Sequence, residues 1–148
     1  MTITIPERIA AARAGTNPTV ICRVSSGWVV MCDIQFLSGY TILLADPLVA
    51  SINDLDHLQR AEYLGDMVLV GDALLEVTGA YRINYGILGN SDPFLHAHIV
   101  PRYLTEPENL RNGLPWSYPK KLMDATAFDP ARDKKLMGLI ATAIKKRL

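Results

Sequence analysis

The run Phe94-Leu95-His96-Ala97-His98-Ile99-Val100 narrows the structures open to this chain more than any other segment. Successive side chains of an extended strand point to opposite faces. Leu95, Ala97 and Ile99 would then line one apolar face, and Phe94, His96, His98 and Val100 the other. Two of the three histidines in the chain therefore project side by side from one strand. The loop before them, Gly89-Asn90-Ser91-Asp92, is rich in small and amide residues, the composition of a loop whose N–H groups can meet an anion. Together they read as a catalytic strand fed by an anion-binding loop.

A chain of 148 residues suits one domain, 1–148, with room for a substantial core. Lys plus Arg and Asp plus Glu both total 15, and this balance argues against broad nucleic-acid binding driven by counterion release. No apolar run approaches the roughly 18 residues of a membrane span, and the first residues lack the charged-then-apolar order of a signal peptide. Cys22 and Cys32 lie in apolar, strand-like segments and are read as buried free thiols of a reducing compartment, rather than as a disulfide or a metal site. The expected location is the cytoplasm.

The periodicities predict an α+β fold. A short helix is expected over Glu7–Ala14, stopped by Gly15 and Asn17-Pro18. Strands are expected at Thr19–Val24, Trp28–Asp33 and Tyr40–Leu44, the first two joined by the turn Ser25-Ser26-Gly27. Asn53 and Asp54 should open a long helix, with Asp56 in its first turn and Gly79 as its stop. Leu55, Leu58, Leu64, Met67, Val68, Leu74, Leu75 and Val77 supply its apolar stripe, and Gly65 and Gly71 either weaken it or mark close packing against a strand. Strands four and five are expected at Tyr81–Tyr85 and Leu95–Val100. Residues 103–128, with three prolines beside Trp116 and Tyr118, read as an ordered irregular extension, and Asp129-Pro130 opens the last helix.

The histidine pair is open to three readings. The two could be hydrogen-bonded structural histidines. They could form a metal half-site, although further ligands are lacking: His57 falls at an exposed helix start, and no Asp or Glu follows His98 closely. Or one could be a nucleophile, since a free imidazole with a pKa near ~6.5 is largely neutral at physiological pH and could form a transient phosphoramidate. Backbone N–H groups of Gly89, the amide of Asn90 and the hydroxyl of Ser91 could hold the phosphate oxygens. The combination of loop and strand favours the nucleophile.

Asn84-x-Gly86, Gly89-Asn90-Ser91 and Leu95-His96-x-His98-Ile99-x-Pro101-Arg102 resemble the signature of the histidine-triad superfamily, nucleotidyl hydrolases and transferases acting on the α-phosphate of nucleotide conjugates. The likeness covers about residues 19–102. It implies a five-stranded antiparallel sheet with a long central helix, terminal helices, and a homodimer whose sheet continues across the interface. It implies that His96 is the nucleophile and that His98 assists at the phosphate and leaving group. Ser91 would stand near the scissile phosphate, Asn90 where an amide side chain is common, and Asn84 at phosphate or ribose. Asp33 would bind ribose, though its spacing to Gly39 is one residue short.

The departures are specific. Phe94 stands where the first histidine of the triad belongs, Tyr40 replaces a further histidine after Gly39, and the loop from Gly86 is one residue shorter. Either activity is reduced or lost, or the Phe94 carbonyl orients His96 and Tyr40 replaces a histidine as a hydrogen-bond donor. The chemistry expected is cleavage at a nucleotide phosphoanhydride or phosphoramidate, with diadenosine polyphosphates the leading substrates. No cofactor is required, and Mg²⁺ could enter only with the polyphosphate. A nucleotide-binding module without turnover is the rival.

Outside this set, Arg102 is read either as a phosphate-binding fork or as a surface ion pair, and Arg82 shares the ambiguity. Trp116 and Tyr118 could stack on a base or cover a partner's pocket, but packing of the tail is the simpler role.

Overall fold

The computed structural model describes residues 3–148; Met1 and Thr2, the start of the N-terminal segment read above, lie outside it. The first helix, α1 (Ile5–Arg13), is set by a capping box in which Thr4 and Glu7 exchange hydrogen bonds, with Pro6 in its first turn. The strands are β1 (Val20–Val24), β2 (Gly27–Met31), β3 (Thr41–Ala45), β4 (Arg82–Gly86) and β5 (His96–Arg102). They form one antiparallel sheet in the order β1-β2-β3-β5-β4. The histidine strand therefore lies inside the sheet, between β3 and β4. The α+β architecture is the one expected.

Strand β5 runs two residues further than expected, through Pro101. Strand β3 stops opposite Ile99, so Pro101 has only Ile83 of β4 beside it. A residue without an N–H is tolerated where one neighbour is missing.

The long helix α2 (His57–Thr78) starts later than expected. Residues Ile52–Asp54 form a separate 3₁₀ turn, and Asp56 is the helix N-cap rather than a first-turn residue. Asp56 accepts from the Gln59 amide while Gln59 accepts from the Asp56 amide, and this reciprocal pair fixes the start. The expected apolar stripe is also only partly buried. Tyr63, Val70, Ala73 and Leu74 face the sheet, whereas Leu58, Leu64, Val68 and Leu75 are exposed. Gly71 does mark close packing: a Cβ there would lie 2.0 Å from the Tyr85 hydroxyl.

One sheet face carries the main core. Val29, Met31, Leu43, Ala97 and Ile99 pack against α2 and against α5 (Pro130–Lys145). Burying each of the larger of these side chains, Val29, Met31, Leu43 and Ile99, contributes about 1.5–3 kcal/mol of transfer free energy. The helix α5 begins at the Asp129 cap and Pro130, as its sequence requires.

The other face is covered at its two ends. Ile5 and Ile9 of α1 pack on Val30 and Leu44, with Phe94 beside them. At the other end Leu37, Tyr40 and Val100 meet Phe36, Tyr103, Trp116 and Tyr118. The extension that supplies the last three is ordered into α3 (Glu108–Arg111), a 3₁₀ turn at Pro115–Ser117 and α4 (Lys120–Asp124). His96 and His98 occupy the gap between these two clusters. No helix among the described residues is long and apolar enough to cross a membrane.

Candidate active site

The alternation along β5 holds residue by residue. Leu95, Ala97 and Ile99 belong to the main core. The His96 and His98 rings stand on the opposite face, centroids 5.0 Å apart and tilted by 67°.

The two imidazoles are held by different groups. His96 Nδ1 lies 2.7 Å from the Phe94 carbonyl oxygen. A carbonyl only accepts, so Nδ1 carries a proton, and in the neutral ring Nε2 keeps its lone pair. The Phe94 side chain, at the position where the resemblance implied a histidine, packs with α1 and β3, and its backbone supplies the contact that orients His96.

His98 Nδ1 is 2.6 Å from the Tyr40 hydroxyl, and Tyr40 Oη accepts from Trp116 Nε1 at 3.1 Å. The Trp116 ring meets His98 edge-on, with centroids 5.4 Å apart. Burial, with a smaller contribution from His96, lowers the His98 pKa to about 4, so the ring is neutral at physiological pH. Burial likewise pushes the Tyr40 hydroxyl far above the usual phenol range, keeping its proton in place. Gly86 pairs with His98 across the sheet, and a Cβ there would fall 2.6 Å from the Trp116 ring. Only glycine leaves the indole its seat.

Two clefts meet at His96. One is lined by Val30, Ile42 and Leu44, by Arg8 of α1, and by Asp33. Arg8 grips Asp33 through both terminal nitrogens, which raises the Arg8 pKa further. Asp92 anchors α1 over this cleft by accepting from the Ile5 amide at 3.0 Å. The second cleft is lined by Ser51, Asn53, Leu88, Gly89 and Phe94. Gly89 has φ 73°, the left-handed conformation that lets the loop turn back toward β5. Asn90 and Ser91 are exposed at the tip of that loop.

Arg102 requires a correction. It is 2% exposed and is neither a phosphate fork at the surface nor a surface ion pair. Its guanidinium donates to Glu106, to the Asn84 side-chain oxygen at 2.8 Å, and to the carbonyls of Leu110, Arg111 and Gly113. A fork with five donors suits this hub, which folds the extension onto the sheet. Burial opposes the charge on Glu106, but bonds from Arg102, Tyr118 and the Tyr103 amide outweigh it and hold its pKa down. Asn84 therefore has its oxygen turned to Arg102, beside rather than within the histidine pair.

Sequence reasoning did not give Trp116 its place against His98, nor bring Arg8 to Asp33. The partner of Trp116 lies 76 positions away. The one local signal was Gly86, a glycine directly across from a histidine. Among the described residues no group of three or more His, Cys, Asp or Glu is arranged to hold a metal ion.

No protein-family model and no curated protein sequence matches the chain. Solved structures do. A histidine triad protein from Bradyrhizobium japonicum superposes with a TM-score of 0.70 at 24% identity, over 84% of this chain and 89% of that one. One from Marinobacter aquaeolei gives 0.73 at 17% identity, over 86% and 88%. The chain has the histidine-triad fold. A diadenosine triphosphate hydrolase from Plasmodium falciparum shares the fold at a TM-score of 0.57 and 14% identity, over 88% of this chain and 78% of that one. Phe94 and Tyr40 stand at the two positions where the sequence resemblance implied histidine.

Proposed function

We propose that the chain is a nucleotide-binding hydrolase or nucleotidyl transferase that works through a nucleotidyl-histidine at His96. The observation that carries the proposal is the 2.7 Å contact of His96 Nδ1 with the Phe94 carbonyl, which leaves Nε2 as a free nucleophile where two clefts meet.

Nε2 attacks the α-phosphorus of a bound nucleotide conjugate, and the bond from phosphorus to the leaving oxygen breaks with its electron pair. A phosphoramidate forms on His96. Water then attacks phosphorus, the P–N bond breaks, and the neutral imidazole is restored. His98 supports the phosphate and leaving group, with Ser91, Asn90 and the Gly89 amide at the loop. The apolar cleft beside Asp33 takes the nucleoside, with the carboxylate at ribose, and Asn84 lies beside phosphate or ribose. Dinucleoside polyphosphates are the leading substrates, a reading supported by the fold shared with a diadenosine triphosphate hydrolase. Mg²⁺ would accompany the polyphosphate rather than bind the protein first.

The chain should act as a homodimer. Strand β4 is one of the two edges of the sheet, and Leu64, Val68, Leu75, Tyr81 and Tyr85 lie exposed on α2 and around that edge. A second copy pairing there would cover both the apolar side chains and the open backbone groups.

The test is chromatographic turnover of diadenosine tri- and tetraphosphate and an adenosine phosphoramidate, with wild type and His96→Ala, each with and without chelator. AMP release that vanishes in His96→Ala and survives chelation on the phosphoramidate is the expected result. Bound adenine nucleotide without release from any substrate would instead identify a binding module.

A further inference from the structure

The hydroxyl of Tyr40 lies between two nitrogens, and the chemistry of one dictates what it does to the other. An indole N–H can only donate. Trp116 Nε1, at 3.1 Å, therefore uses a lone pair of Tyr40 Oη. The single phenolic proton must go elsewhere, and His98 Nδ1 lies 2.6 Å away. The other polar group at this buried hydroxyl is the Cys32 thiol, a weak acceptor that competes poorly with an imidazole nitrogen. Tyr40 is 2% exposed, so water offers no alternative. A proton on Nδ1 would leave the phenolic proton without a good acceptor inside the protein, the arrangement that buried polar groups avoid.

We propose that Trp116 is a positioning residue: by donating to Tyr40 it aims the Tyr40 hydroxyl at His98 Nδ1 and so fixes His98 with its proton on Nε2. The neighbouring His96 is held the opposite way, with its proton on Nδ1 facing the Phe94 carbonyl. Two imidazoles 5.0 Å apart thus present complementary Nε2 atoms, a lone pair on His96 and an N–H on His98. If His96 is the nucleophile proposed above, on which this reading of the pair rests, the His98 Nε2–H is the donor that meets the phosphate or leaving oxygen. The extension then belongs to the site, because its tryptophan decides which nitrogen of His98 is protonated. The seat is built for it: Gly86 leaves room for the indole, and Arg102 ties down the chain just before the 3₁₀ turn that bears it.

The test reads the tautomer directly, without substrate. Histidine-labelled protein is examined by ¹⁵N NMR as wild type, Trp116→Phe and Tyr40→Phe. Phenylalanine keeps an aromatic ring at position 116 but removes the N–H. Wild type should show His98 protonated on Nε2 and His96 on Nδ1. In Trp116→Phe the His98 signals should become those of a tautomer mixture while His96 is unchanged. With an active enzyme, kcat should fall about fivefold, the bias of one lost neutral hydrogen bond, with KM within about twofold. If Trp116→Phe loosens the extension, shown by exchange of its amides, Tyr40→Phe carries the test and should give the same mixture. A wild-type His98 protonated on Nδ1, or a tautomer unmoved in both variants, overturns the proposal. Absence of turnover in wild type would count against the nucleotidyl-histidine reading and leave the tautomer result standing by itself.

Discussion

Replacing His98 by phenylalanine should flatten the acid side of the stability curve. The fold lowers the His98 pKa to about 4, chiefly by burying it, against ~6.5 in an unfolded chain. As pH falls through that interval, the unfolded chain takes up a proton that the folded chain refuses, so stability declines with acid. The contribution is complete above the unfolded value and is lost by the time the pH reaches the folded one. Integrated between about pH 7 and 5, the loss is about 2 kcal/mol. Carboxylates held low by partners, such as Asp46 with Arg13 and Glu106 with Arg102, act in the same direction but only where unfolded carboxyls titrate, near ~4. The window above pH 5 therefore isolates the histidines, and His57 and His96 are common to both proteins. Urea denaturation of wild type and His98→Phe across that window gives the difference in slope. The variant starts from a different absolute stability, because Tyr40 loses its acceptor, so the slope and not the level is the readout. Equal slopes, or a folded-state NMR titration of His98 near 6.5, would refute the burial argument.

Other perturbations separate the parts of the site. Gly86→Ala should displace the indole from His98, lowering AMP release by about ten- to a hundredfold, and a shift in tryptophan fluorescence should accompany it. Arg102→Met leaves Glu106 buried and three carbonyls unpaired, a loss of about 3–5 kcal/mol; amide exchange should show it concentrated in residues 103–118, and unchanged protection there would contradict the hub. Asp33→Asn should raise KM for a nucleotide about tenfold with kcat largely kept, as expected for one charged hydrogen bond to ribose; an unaltered KM would remove Asp33 from the binding site.

Much of the frame was legible because it is local. Alternation placed His96 and His98 on one face of β5, and Asp129-Pro130 marked the start of α5. The start of α2 was misjudged because Ser51 and Asp56 each cap a helical turn, and only the real chain path decides which one continues. Its apolar stripe misled for a related reason: periodicity shows which residues are apolar, not which of them a sheet covers. Leu64, Val68 and Leu75 have the right spacing and remain exposed.

The site divides in the same way. By itself the sequence determined the strand, its two histidines and the loop of small and amide residues before them, since spacing along one extended segment fixes which side chains share a face. Only the tertiary structure decided which groups face each histidine ring and what becomes of Arg102. Those depend on the Phe94 carbonyl, on Tyr40 and Trp116, and on Glu106 and the carbonyls of the extension. Hydrogen-bond direction is a property of neighbours in space, and for His98 those neighbours come from segments 58 and 18 positions away along the chain.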